Sequence, residues 1–201
     1  NIALQDNGQT STADLHLEAN ESAFIVFSNE QETGLTDYSP TEKETLLTID
    51  TPWKVDFQKG MRGPDETYVM TELQTWDKNE DERIRYFSGT ATYTNTFTLK
   101  KQPNQPVWID LGRVMVMARV YVNNQYAGGV WTSPYRLNIQ HLLHKGTNTL
   151  RVEVVNNWQN RLIGDQKLPE NERPTWTSVN PWRADSPLQE SGLVGPVRLL
   201  Q

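Results

Sequence analysis

Between positions 157 and 190 the chain gathers Trp158, Asn160, Arg161 and Asp165, then Trp176, Asn180, Trp182 and Arg183. Indole rings stack on the apolar C–H faces of a pyranose, while Asn, Asp and Arg side chains supply the donors and acceptors that sugar hydroxyls need. Small-ligand sites commonly join such walls to a few placed polar groups. The chemistry written here is carbohydrate recognition, and Trp131, beside Gly128-Gly129, adds a wall from an adjacent loop. The same residues also admit a structural role. In it Trp158 and Trp182 pin the long loop onto the body of the domain, and Arg161 with Asp165 forms a supporting ion pair.

Glycosidic-bond hydrolysis is a second chemistry to weigh, and it needs two carboxyl groups about 5–9.5 Å apart, one of them protonated. Asp165, Asp185 and Glu190 fall in or beside the long loop, but 25 acidic residues in 201 make such proximity cheap. His16, His141 and His144 do not compose a zinc set, since no third ligand accompanies the His141/His144 pair. No phosphate-cradling glycine loop and no Ser/His/Asp arrangement is present in the sequence.

The elements that must position these groups are strands. Residues 87–99, Phe-Ser-Gly-Thr-Ala-Thr-Tyr-Thr-Asn-Thr-Phe-Thr-Leu, alternate without a slip, with Ser or Thr at every even position. Successive strand side chains point to opposite faces, so the odd residues are expected inside and the hydroxyl row, from Ser88 on, in water. Residues 53–57 repeat the pattern with Trp53, Val55 and Phe57 inward, and 148–155 with Leu150, Val152 and Val154 inward. Further strands are expected at 107–111, 118–122, 135–139 and 196–200. Asn123-Asn124 supplies a left-handed turn, and Gly128-Gly129 ends that hairpin. Val116 and Met117 read as strand core, 77–85 as a solvated charged loop, and Leu73 to Trp76 as the seat of a short helix. Gly60 to Pro64 is a turn, and 141–144 is at most one helical turn. Strands at intervals of about 8–12 residues with turns between them indicate a β-sandwich. A strandless stretch as long as 157–190 inside such a domain is more often functional than decorative.

Upstream, 13–27 reads as two short strands around a polar turn, the hairpin end of a preceding module spanning residues 1–28. Residues 29–45 read as linker and 46–201 as the main domain. The balance of 19 basic against 25 acidic residues, net −6, with no basic cluster, sets nucleic acid aside as a partner. Zero cysteines exclude disulfides and thiolate metal sites. No apolar run is long enough to span a membrane and no secretion signal is visible. A chain opening on Asn1 is expected to be a piece of something larger.

The succession of Tyr86–Tyr93, Ile109-Asp-Leu-Gly112, Ala118–Asn123 with Gly128, Ser133-Pro-Tyr135, Gly146–Val154 and Ser191–Val197 resembles the sugar-binding jelly-roll domain of the family 2 glycoside hydrolases. The segments Asn156–Asp165 and Ser191–Val197 look closer still to the C-terminal β-sandwich of the family 106 glycoside hydrolases, the α-L-rhamnosidases of gut Bacteroidetes. The usual Val-Asn-Gly turn is altered here, with Asn124 in place of Gly, a change that positive φ tolerates. The resemblance implies an all-β fold, a jelly-roll β-sandwich of the galactose-binding type. It implies a non-catalytic domain of a secreted or periplasmic glycoside hydrolase acting on plant or host glycans. Such a domain buttresses the catalytic barrel of the same polypeptide, where the acid and base reside, so no catalytic residue transfers to this chain. Sandwiches of this type often hold a structural calcium, for which Asp50, Asp56 and Asp110 are the donors to consider. Two other roles remain open at this point: an autonomous carbohydrate-binding module, and a purely structural or protein-interaction sandwich.

Overall fold

The computed structural model describes residues 4–26 and 43–201. The chain divides into two compact units, Asn1–Glu44 and Thr45–Gln201.

In the first unit β1 (Gln5–Asp6) pairs antiparallel with β2 (Ser11–Thr12). Their turn is held by Asn7 Oδ1, which accepts the backbone N–H groups of Gln9 at 3.0 Å and Thr10 at 2.9 Å. The hairpin expected within 13–27 does not form: residues 13–26 carry no strand, only a turn at 19–20, and Phe27 lies outside the described residues. Phe24 and Val26 are exposed, and alternation whose apolar side gains no burial does not hold a hairpin together. Most of the expected linker also lies outside the described residues.

The second unit is built on two main sheets. One has six strands in the order β10-β9-β12-β6-β4-β5, formed by β4 (Trp53–Phe57), β5 (Tyr68–Met70), β6 (Thr90–Leu99), β9 (Met117–Val122), β10 (Gln125–Val130) and β12 (Gly146–Val155). The other has four, β11-β7-β14-β3, from β3 (Thr45–Thr48), β7 (Trp108–Asp110), β11 (Arg136–Asn138) and β14 (Arg198–Leu200). A short pair joins β8 (Arg113–Met115) to β13 (Gly192–Gly195). Every pairing of the sheets is antiparallel. The inner faces share one core that includes Val55, Tyr93, Val120 and Val152 from the larger sheet and Ile109 and Leu199 from the smaller. This is the all-β sandwich that the alternating segments indicate.

The alternation is realised residue by residue. In β6 the odd positions Ala91 to Leu99 are all buried and Thr96 and Thr98 are exposed. Ser88 departs from the pattern because it precedes the strand. It is buried, and its hydroxyl donates to the Asn157 carbonyl at 2.8 Å. Under the sheet, Trp76 stacks parallel to Tyr93 with ring centroids 6.4 Å apart. The Trp76 indole N–H donates to the Tyr93 hydroxyl at 2.6 Å, and the backbone N–H of Leu193 donates to the same oxygen at 3.1 Å.

Three local expectations are corrected. Gly128 and Gly129 do not end the hairpin: they lie inside β10, at a register shift between Tyr126 and Gly128. The absent side chain at Gly128 leaves room for Leu137, whose Cδ2 would sit 3.1 Å from an added Cβ. Val116 and Met117 are exposed rather than core, because the period of β9 turns Ala118, Val120 and Val122 inward instead. The charged run at 77–85 is not merely a loop. It contains α1 (Glu82–Arg85), capped by Asp81 Oδ1 accepting from Arg83 N–H at 2.8 Å, and it buries Ile84 completely. Trp76 begins a 3-10 turn, Trp76–Lys78, close to where a short helix was expected. Asn123 and Asn124 adopt φ of 51° and 65°, as the turn from β9 to β10 requires.

Candidate functional site

The long segment after β12 contains no strand but does contain a helix, α2 (Gln159–Asp165). Its entry is fixed by Asn156, whose side chain donates to the Phe87 carbonyl at 2.7 Å and accepts from Gly89 N–H at 2.9 Å. Ser88 adds its bond to Asn157. The start of α2 is thereby tied to the 87–89 edge of β6. One face of α2 is buried through Asn160, Ile163 and Asp165. Gly164 lets the helix close on Tyr86: an added Cβ would lie 2.6 Å from that ring.

Asn160 is almost wholly buried, and its amide meets the backbone of Gln189. It donates to the carbonyl at 2.7 Å and accepts the N–H at 2.9 Å, as a neighbouring strand would. The residue that pins the far end of the loop is therefore Asn160, not Trp158. Trp158 is 51% exposed and Trp176 86% exposed.

Arg161 and Asp165 stand one turn apart on the same face of α2, with Nη1 and Oδ1 separated by 3.7 Å. The other carboxylate oxygen, Oδ2, accepts the backbone N–H of Thr175 at 3.2 Å. One buried acid thus anchors both the guanidinium and the chain that carries Trp176. Arg161 keeps only 11% of its side-chain surface, and its Nη2 is buried without a hydrogen-bond partner. Burial holds this guanidinium below its ordinary range. Asp165 opposes that shift, and the charge of Arg62 adds to it.

These groups border a cavity of about 260 Å³. Trp158 and Trp176 contribute indole walls, Arg161 and Arg62 contribute cations, and Ser88 and Thr175 contribute polar edges. Among the described residues lining it there is no carboxylate, since Asp165 stands behind Arg161. Arg62 comes from the turn after β4, where it takes a left-handed φ of 62° beside Gly60 at 77°.

Of the eight sequence candidates, then, the cavity brings together Trp158, Arg161 and Trp176, with Asn160 and Asp165 as buried supports. Trp131, Trp182 and Arg183 are not among its lining residues. Trp131 follows β10 and is exposed, whereas Trp182 is half-buried, with its backbone N–H donating to Asn180 Oδ1 at 3.0 Å. Sequence reasoning missed Arg62, Ser88 and Thr175. A non-glycine residue inside a glycine-punctuated turn, Gly60-Met-Arg-Gly63, was the one signal for Arg62.

Two of the three carboxylates named for hydrolysis are engaged elsewhere. Asp165 is held as described, and Glu190 pairs with Arg113 at 3.0 Å. Asp185 is exposed. Two of the three carboxylates considered for calcium make hydrogen bonds within the fold. Asp110 accepts from Gly112 N–H at 2.8 Å and Arg136 at 3.0 Å, and Asp56 accepts from the Thr67 hydroxyl at 2.6 Å. Among the described residues no group of three or more His, Cys, Asp or Glu side chains is placed to hold a metal. A second cavity of about 370 Å³ lies beside Trp53, Leu73 and Pro196, with Asp50 and Glu72 at its exposed edge.

Comparison with known proteins bears on all of this. Residues 68–187, more than half of the chain, match the family described as glycosyl hydrolase 2 galactose-binding domain-like. A putative β-glucuronidase of Formosa agariphila is 37% identical over 64% of this chain, which covers 13% of that protein. The solved rhamnosidase of Novosphingobium sp. PP1Y superposes with a TM-score of 0.85 at 39% identity, over 99% of this chain and 19% of its own length. A β-glucuronidase from Ruminococcus gnavus shares the fold alone, with a TM-score of 0.55 at 19% identity over 80% of this chain and 29% of its own. The chain thus spans about a fifth or less of its more identical relatives.

Proposed function

The chain belongs to the glycosyl hydrolase 2 galactose-binding domain-like family, and from that premise we propose that it is a non-catalytic domain of a larger glycoside hydrolase of the α-L-rhamnosidase type. It buttresses the catalytic part of the same polypeptide and touches the glycan through the Trp158/Trp176 cavity. The observation that carries the glycan contact is the pair of exposed indoles lining a cavity that Arg161 and Arg62 also line. Exposed rings of this size are costly to leave in water and suit the apolar faces of a sugar. A parent enzyme acting on plant or host glycans suits a secreted or periplasmic location.

Electrophoresis in gels cast with a rhamnose-containing plant polysaccharide tests the contact. The 201-residue chain is retarded relative to a gel without glycan, and Trp158→Ala with Trp176→Ala abolishes the retardation. Equal mobility in every gel contradicts a glycan contact by this chain.

A docking role without sugar contact is supported by one observation, the adjacent exposed pair Val116 and Met117 at the start of β9. Apolar residues of this kind suit a surface covered by the rest of the enzyme.

A further inference from the structure

We propose that the Trp158/Trp176 cavity selects an anionic saccharide, a sugar residue bearing a carboxylate or a sulfate ester, with Arg161 and Arg62 receiving the anion. This rests on the glycan-contact role proposed above and deepens it.

Two cations border the cavity, and no carboxylate lines it among the described residues. That is a local positive field in a chain whose net charge is −6. Asp165 offsets one of the two charges only, and its second oxygen is already committed to Thr175. A neutral sugar would leave the second charge uncompensated. Arg161 lines the cavity, and among the described residues its charge is met only by Asp165, at 3.7 Å. A guanidinium presents its N–H groups as a planar fork that matches the paired oxygens of a carboxylate or sulfate, whereas a single hydroxyl matches it poorly. The indoles on either side then take the C–H faces of the same residue or its neighbour. Positively charged and apolar walls together fit a charged pyranose.

Matched ligand pairs test this by calorimetric titration of the 201-residue chain. One pair is oligogalacturonides and the same oligomers with their carboxyl groups reduced. The other is sulfated galactan oligosaccharides and their desulfated counterparts. The anionic member of at least one pair is expected to bind about tenfold tighter than its neutral partner, the ratio that one charge-assisted hydrogen bond supplies. The preference weakens with added salt. Which pair shows it identifies carboxylate or sulfate as the anion. Arg62→Asn keeps a residue that tolerates the left-handed backbone and removes the exposed cation without touching the buried pair, so it reports on charge in a folded chain. It is expected to erase most of the preference. Arg161→Lys, checked for folding by circular dichroism, retains the charge but loses the fork and is expected to weaken the anionic ligand alone. Equal affinity within both pairs overturns the anion assignment and leaves the glycan contact standing. Absence of binding to all four ligands overturns the anion assignment, and together with equal mobility in the polysaccharide gels it overturns the glycan contact as well.

Discussion

The backbone N–H of Thr175 donates to the carboxylate of Asp165 at 3.2 Å, across ten residues of chain. That bond, with the ion pair from Asp165 to Arg161, makes one buried carboxylate the organiser of the cavity wall. The wall is preorganised to the extent that Asp165 holds it.

Asp165→Asn retains an oxygen that can accept from Thr175 but removes the counter-charge of Arg161. Breaking a buried pair from one side leaves an uncompensated ion, so a loss of about 2–4 kcal/mol is expected in urea denaturation, with the slope of the transition unchanged. Adding Arg161→Met removes the stranded charge and should recover most of the loss. A double variant no more stable than the single one would show that the pair is not what Asp165 contributes.

Gly164→Ala separates helix propensity from packing. An interior helical glycine replaced by alanine gains about 1 kcal/mol on propensity alone. Here the added methyl would meet the Tyr86 ring at 2.6 Å, so the expected result is a net loss of about 1–3 kcal/mol. Stabilisation would mean that α2 does not close on Tyr86 as described.

Tyr93→Phe orphans two buried donors, the Trp76 indole and the Leu193 N–H. The expected cost is about 2–4 kcal/mol, since each orphaned group forfeits its desolvation. Burial, chiefly, pushes the Tyr93 hydroxyl above its ordinary value, against the two donors that lower it. The unfolded chain therefore releases this proton first, and the contribution of Tyr93 is full below the ordinary tyrosine pKa of about 10 and is lost as pH rises beyond it. Denaturant titrations at about pH 8 and about pH 11 should show a smaller wild-type-to-variant difference at the higher pH. An unchanged difference contradicts the buried, protonated hydroxyl.

Much of the sandwich was legible because burial on one face leaves a period of two in the sequence. Thr90–Leu99, Trp53–Phe57 and Gly146–Val155 each carry it, and each is a strand with the expected side inward. Ser88 shows where the pattern ends: a hydroxyl in perfect register is buried because a carbonyl from Asn157 meets it. The 13–26 segment shows the converse, a suggestive pattern with no burial to sustain it. For the cavity, the aromatic and cationic residue types were legible at Trp158, Arg161 and Trp176. The role of Asn160 was not, because its partner is a backbone 29 residues away, and no side-chain pattern encodes a backbone partner. Arg62 was legible only through its glycine-punctuated turn, because its neighbour in space, Arg161, is set by tertiary closure of α2 onto Tyr86.

The most direct test of the central claim is a tryptophan-fluorescence titration of the chain with rhamnogalacturonan fragments. A saturable change is expected that persists in Trp131→Phe and disappears in Trp158→Ala and in Trp176→Ala. A flat response, or one that survives both cavity substitutions, would contradict glycan recognition at this cavity.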